Sequence, residues 1–234
     1  MDSDIELIIR WVAAGIIILI ELIVLFSLFT NKGSKLQMLV KDMSAQEEIR
    51  DMSFSYSRSQ LLWWTFIVIT CFAVDMALTG ASNGIMNSTA LSLIGISAGT
   101  TLAGRVIDNT QNNDAAIKLH QHTSSEGFWM DILSDQNGIS IHRFQAVLFN
   151  LGFGVAFISQ FMSNIPQPIQ LGVAIPFADF DNTTLGLIGL SAGTYATLKF
   201  NENLSPPRAA SVNKVTPATP ATPPAQPAAP KPTA

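Results

Sequence analysis

Apolar residues in this chain gather into long runs instead of alternating with polar ones. The first run, WVAAGIIILIELIVLFSLF, covers residues 11–29 with a single charge, Glu21. Four more follow: LLWWTFIVITCFAVDMAL (61–78), TALSLIGISAGTTLAG (89–104), AVLFNLGFGVAFISQFM (146–162) and TLGLIGLSAGTYATL (184–198). A helix that crosses a bilayer needs roughly 20 mostly apolar residues, each adding about 1.5 Å. The pattern therefore predicts an all-α integral membrane protein with five transmembrane helices. The third and fifth runs are short and rich in Gly, Ser and Thr, so a re-entrant course is their alternative. The first run reads as a retained span, because MDSDIELIIR before it is net acidic and no small-residue cleavage site follows it.

Basic residues between the runs set an orientation. Lys32, Lys35, Lys41, Arg50 and Arg58 lie between the first and second runs, and Arg105, Lys118 and Arg143 between the third and fourth. Lys199, Arg208, Lys214 and Lys231 follow the fifth, whereas 79–88 and 163–183 carry no Lys or Arg. By the positive-inside rule the loaded side is cytoplasmic, with the N-terminus outside and the C-terminus inside.

The third and fifth runs share a phrase, LIGISAGT at 93–100 and LIGLSAGT at 187–194. The runs before them are each introduced by a related one, SYSRSQ at 55–60 and SIHRFQ at 140–145, which aligns Arg58 with Arg143 and Gln60 with Gln145. A two-helix hairpin used twice in parallel orientation accounts for both matches. The expected organisation is an N-terminal span (1–30), a juxtamembrane segment (31–58) and a first hairpin (59–105). A cytoplasmic loop (106–143), a second hairpin (144–200) and a Pro/Ala/Thr-rich disordered tail (201–234) complete it. Each shared phrase contains a G-x-x-x-G, Gly95 with Gly99 and Gly189 with Gly193. Small residues one turn apart let membrane helices approach closely. The third and fifth spans are expected to pack on each other or on copies in a neighbouring subunit, and a homo-oligomer is the expected assembly.

Taken together, S-x-x-R-x-Q-x-x-x-[WF], GISIHRFQ and GLSAGTYATLK resemble the motifs of a group of bacterial multi-span membrane proteins without an assigned activity. The resemblance covers roughly residues 53–200. It implies a bacterial cytoplasmic (inner) membrane location and imports no activity.

The loops carry weaker signals. Ser44 with Glu47 and Thr123 with Glu126 have capping-box spacing. After the second pair, Phe128, Trp129, Ile132 and Leu133 share one face of a short helix, suited to the membrane interface or to packing under the bundle. SDQNGIS at 134–140 lacks the ligands of a calcium loop and reads as a turn. His120 and His122 have no third metal ligand spaced to join them. Asn87 and Asn182 read as helix caps.

Composition narrows the function. The chain is 48% hydrophobic and 13% charged with a net charge of −4, which argues against nucleic acid as a partner. Cys71, the single cysteine, lies in an apolar run and is expected in the core. No hydrolase elbow, phosphate loop, metal set or carboxylate pair is present, so neither enzymatic activity nor a cofactor is expected. Polar residues inside the runs remain as candidates, because a charge at mid-bilayer costs about 2.5–3.5 kcal/mol on insertion scales. Counting along the helices places Glu21, Thr65, Thr100, Asn150 and Thr194 about 18–20 Å from the outer edge. They are candidates for one polar layer, and Arg10 and Asp75 for an ion pair near the outer surface. Two functions compete: an oligomerising anchor or scaffold with a cytoplasmic protein partner, and a small channel or transporter subunit conducting past Glu21.

Overall fold

A computed structural model describes residues 3–30, 34–43, 48–80, 86–112, 124–135 and 138–202. Within them seven helices form: α1 (Ser3–Thr30), α2 (Tyr56–Thr79), α3 (Ser88–Asn112), α4 (Phe128–Leu133), α5 (Ile141–Asn164), α6 (Pro166–Leu171) and α7 (Asn182–Glu202). A 3₁₀ turn (Lys35–Leu39) precedes α2, and a two-residue hairpin pairs β1 (Ser134–Asp135) with β2 (Gly138–Ile139).

Every apolar run lies inside a long helix. Four of these helices, α1, α2, α3 and α5, are long and apolar enough to cross a membrane. The fifth, α7, has 21 residues, about 32 Å of helix. It is not among the four, because Gly, Ser and Thr dilute its apolar character. The sequence reading of five such helices is thus met by four. The third run extends much farther than its apolar stretch: α3 continues through Arg105 and Asp108 to Asn112, 25 residues in all. That is about 37 Å, longer than a re-entrant segment needs.

The helices α2, α3, α7 and α5 form a ring in that order, and α1 packs on the outside of α2. The helices run alternately, so the ring has a lower end, where α2 starts, and an upper end, where α2 stops. Three polar contacts at successive heights pin α1 to its neighbours. At the top, Arg10 donates to the Leu78 carbonyl at 2.9 Å, beside Gly80, which closes α2 with a φ of +65°. Midway, the Thr70 hydroxyl bonds to the Glu21 carboxylate. At the bottom, Gln37 donates to the Leu28 carbonyl at 3.0 Å. The rest of α1 exposes Ile8, Trp11, Ile16, Leu19, Ile23 and Phe26, an apolar perimeter that water does not favour.

The core is aromatic. Trp64 meets Phe157 edge-on at 6.2 Å, and Phe157 meets Phe180 at 5.9 Å. Such pairs contribute about 0.5–1.5 kcal/mol each beyond their buried area. Cys71 is buried among them. The upper end is closed by the chain after α6, which turns at Gly172 (φ +64°) and lays Ile175, Phe177 and Ala178 into the core. Asn87 caps α3 by accepting from the Ala90 N–H at 3.0 Å, and its amide donates to the Ala178 carbonyl at 2.8 Å. The other expected cap is one residue off: Asp181, not Asn182, accepts from the Thr184 N–H at 2.6 Å.

The lower end is closed by segments 34–43, 48–55, 124–135 and 138–139. Lys41 bridges to Phe54, and the Ser125 N–H donates to the Asp51 carbonyl at 3.0 Å. Phe128 of α4 inserts its ring between Phe29 and Phe54, at 4.7 and 5.3 Å. Ile132 is buried while Trp129 stays exposed, so α4 packs under the bundle and keeps one aromatic outside. Within SDQNGIS, Ser134 pairs with Ile139 and Asp135 with Gly138 just before α5, while residues 136 and 137 lie outside the described residues. Residues 44, 47, 123, 120 and 122 and the 203–234 tail lie outside the described residues.

Candidate functional site

The densest polar assembly sits at the lower end, where α2 and α5 begin. Ser55 and Ser140 introduce these helices with nearly the same extended backbone, φ/ψ of −93°/121° and −93°/123°. In each case the serine carbonyl accepts an N–H four residues on, from Ser59 and Phe144, at 3.0 Å.

Between the two helices Asn150 is the hub. Its carbonyl side-chain oxygen accepts from the Trp64 indole at 2.8 Å, and its amide donates to the Tyr56 hydroxyl at 2.9 Å. The Trp63 indole donates to the Asn150 main-chain carbonyl at 3.1 Å. Trp63 reaches that carbonyl because residue 154 is glycine. A Cβ there would stand 2.6–2.8 Å from the indole ring.

Charges gather beside this hub. Lys199 of α7 is buried, 2.7 Å from Asp108 of α3 and 3.8 Å from Asp42. Asp42 reaches the bundle because its own N–H is tied to the Ser53 carbonyl at 2.9 Å, next to the Lys41–Phe54 bridge. Arg58 secures the same segment by donating to the Lys41 carbonyl at 2.8 Å. Gly104 of α3 faces the lysine: a Cβ there would sit in ordinary contact, 3.8 Å from its Nζ and 3.4 Å from the Ser57 hydroxyl.

A cleft of about 400 Å³ opens beside these groups, lined by Asp42, Tyr56, Glu126, Asp131, Arg143 and Lys199 among others. Tyr195 leans on Tyr56 with ring centroids 4.5 Å apart, and the Arg143 guanidinium stands 5.6 Å over the Tyr195 ring. Asp131 accepts from the Phe54 and Glu126 N–H groups, both at 2.9 Å, and from the Ser125 hydroxyl at 2.6 Å, fixing the cleft wall. This arrangement lines the cleft with both charge signs, which suits recognition of a polar or charged group.

The residues singled out in the sequence are distributed differently from expectation. Glu21 bonds to Thr70 and not to a shared layer. Thr65, Thr100 and Thr194 each donate to the carbonyl four residues back in their own helix, at 2.7–2.9 Å. A threonine hydroxyl in a helix has that acceptor always in reach, so equal depth did not bring these side chains together. Of the five, Glu21 and Asn150 bridge helices, Glu21 from α1 to α2 and Asn150 from α5 to α2. Arg10 pairs with Glu6 at 2.6 Å. Asp75 is fully buried and accepts from the Ile175 N–H at 2.7 Å, holding the upper cover in place. The helices α3 and α7 do pack together. Gly95, Gly99 and Gly193 nevertheless face outward, with nothing within 4 Å of a built Cβ among the described residues, and of the four only Gly189 meets the other helix, at Ile96 of α3. The repeat pairs also part company: Gln60 is buried and Gln145 exposed.

Sequence reasoning passed over Tyr56, Trp63, Trp64, Gly154, Asp42 and Asp108. The double Trp at 63–64 facing an N-x-x-x-G at 150–154 is the signal that could have found part of this set. No family model, curated protein or solved structure matches the chain.

Proposed function

We propose that this chain is a five-span integral membrane protein of a bacterial cytoplasmic membrane, with the lower end in the cytoplasm. It acts as a non-enzymatic, oligomerising anchor that offers its lower cleft to a cytoplasmic protein partner. One observation carries this reading: the lower end opens into a cleft of about 400 Å³ lined by both charge signs, with Asp42, Asp131, Arg143 and Lys199 on its walls. The ring order α2–α3–α7–α5, with the matching serine entries at 55 and 140, supports the twice-used parallel hairpin. The position of α7 inside that ring supports its role as a fifth span. The seating of Glu21 on Thr70, at the outer seam of α1 with α2, favours an anchor over a conducting path.

Ion flux across liposomes, wild type beside Glu21→Gln over a range of pH, tests this reading. No flux above protein-free liposomes is expected from either. Flux that falls with the substitution would make the chain a channel or transporter subunit. Cysteines placed at exposed Ile139 and Leu171, in a chain whose own Cys71 is buried, test the orientation. Leu171→Cys should label from outside the cell, and Ile139→Cys only after permeabilisation.

A further inference from the structure

The lower half of the bundle holds a second cavity whose chemistry differs from the cleft. Both α1 and α5 lean on α2, and the space between them forms a pocket of about 220 Å³. Leu25 and Phe29 of α1 form one wall, Val147 and Leu151 of α5 the other, and Phe128 and Trp129 of α4 the base. Nearly all of its surface is apolar. A cavity of about 150 Å³ lined by Leu, Ile and Phe in another protein stays dry and binds benzene, so this one has room for a short alkyl chain.

Its floor, though, is a face of α2 carrying Ser59 and Gln60. Gln60 is only 4% exposed, and its side-chain oxygen, like the Ser59 hydroxyl, is buried without a hydrogen-bond partner among the described residues. Leaving such a group unsatisfied costs free energy, so buried polar atoms are nearly always paired. Helix packing alone gives no reason for a glutamine here. The aligned position in the second hairpin, Gln145, is exposed, so the buried amide belongs to this pocket and not to the repeat.

The geometry points to this pocket as a binding site for an amphiphile with an alkyl chain and a hydroxyl head. The chain fills the space between α1 and α5, and the hydroxyl bonds to the Gln60 amide with Ser59 alongside. A hydroxyl both donates and accepts, so it satisfies the amide in either orientation of its terminal group. The half-exposed Trp129 at the base and Leu151 on α5 place the mouth on the flank of the bundle. On the membrane reading above, that flank opens to lipid, the source of such molecules. Binding itself does not depend on that reading, because detergent-solubilised protein tests it directly.

Two of the four tryptophans, Trp63 and Trp129, line the pocket and report on occupancy. The full chain, carrying Trp11→Phe to remove the tryptophan on the outer face of α1, is titrated in detergent with a bromoalkanol. A bromoalkane of equal chain length is run beside it. Saturable quenching is expected, with the alkanol binding about three- to tenfold more tightly than its micelle partitioning explains, the worth of one hydrogen bond. Gln60→Met should remove that preference and leave alkane quenching intact, whereas Val147→Phe should weaken both probes by filling the space. Linear, non-saturating quenching, or equal affinity for alkanol and alkane in the wild type, would overturn the proposal and leave the pocket to water or detergent. An alkanol preference that survives Gln60→Met would also overturn it. If Gln60→Met does not fold, the wild-type comparison decides alone.

Discussion

Lys199 Nζ lies 2.7 Å from Asp108 Oδ2, and both side chains are more than nine-tenths buried. The contact joins the lower ends of α7 and α3, and Asp42 approaches the same ammonium at 3.8 Å from the segment beneath them. A basic residue that sequence position assigns to a solvated cytoplasmic flank is therefore an internal tie between two helices and a loop. Its long apolar stem can lie along α7 while the charge meets its partners.

Breaking a buried ion pair from one side leaves a charge without compensation, which costs about 3–5 kcal/mol. Lys199→Met is expected to destabilise the protein by that order, measured by denaturant unfolding in detergent with tryptophan emission. Joint replacement of Lys199 by Met and Asp108 by Leu should recover part of the loss. A single variant as stable as wild type would show that the pair does not hold α3 to α7.

Gly154 allows Trp63 to lie across α5. Adding side-chain volume at a well-packed contact costs about 1–3 kcal/mol, and the built Cβ already falls 2.6 Å from the indole. Gly154→Val should lower stability by that amount in the wild type and by much less in a Trp63→Ala background. Equal losses in both backgrounds would place the strain elsewhere.

How much of this was legible in the sequence depends on which physical signal spoke. Hydrophobic runs located all five long helices, because unbroken apolar stretches leave few other structures. Helix ends were less visible: α3 runs on through Arg105 and Asp108 because Asp108 meets Lys199 and Gln111 meets the Phe200 carbonyl on α7. No local pattern announces such partners. Depth counting placed Glu21 and the threonines at one level but said nothing of which way each faced. The shared phrase was read as one packing face, yet Leu93 and Ser97 are buried on α3, whereas Ile188 and Ala192, aligned with Ile94 and Ala98, are buried on α7. The inward stripe is shifted by one residue, so identical letters do different jobs.

The middle pin of α1 has its own signature. The Thr70 hydroxyl has one proton and two acceptors in reach, the Phe66 carbonyl at 2.7 Å and the Glu21 carboxylate. Thr70→Val removes the donor and leaves the carboxylate facing an apolar surface, a loss of about 1–3 kcal/mol. Glu21→Gln keeps an acceptor for the same hydroxyl and should cost under about 1 kcal/mol. Thermal unfolding of the two variants side by side checks the order. The reverse ranking would mean that Glu21 is held by something other than Thr70.

Asp181 gives the upper end a pH dependence. The Thr184 main-chain N–H, helped by the Thr184 hydroxyl, donates to its carboxylate and holds it below the ordinary aspartate range. A depressed folded-state value means that the cap contributes fully above the unfolded aspartate pKa of about 4. That contribution fades as pH falls through the folded value. Asp181→Asn still caps α7 and cannot titrate, so its melting temperature should fall less than that of the wild type between about pH 5 and 3. Parallel acid limbs for the two proteins would remove Asp181 from the account.

The glycines of the shared phrase decide how copies of the chain meet. Gly95 and Gly99 stand on the outward side of α3 between exposed Leu91 and Leu102. A Cβ built at either glycine meets nothing within 4 Å among the described residues. Glycine in a helix interior costs about 1 kcal/mol relative to alanine, and among the described residues no contact offsets that at these two positions. Close approach of a second helix does, because backbones then meet without side chains between them. Gly99→Ala should therefore raise the stability of an isolated chain slightly. Gly95→Leu joined with Gly99→Leu should leave its fold intact while shifting the protein toward monomer in detergent, read by light scattering on a sizing column. A wild type that is already monomeric at membrane-like protein-to-detergent ratios, and that the leucines leave unchanged, would remove oligomerisation through α3 from the proposed function. Loss of fold in the leucine variant would instead place these glycines against the chain itself.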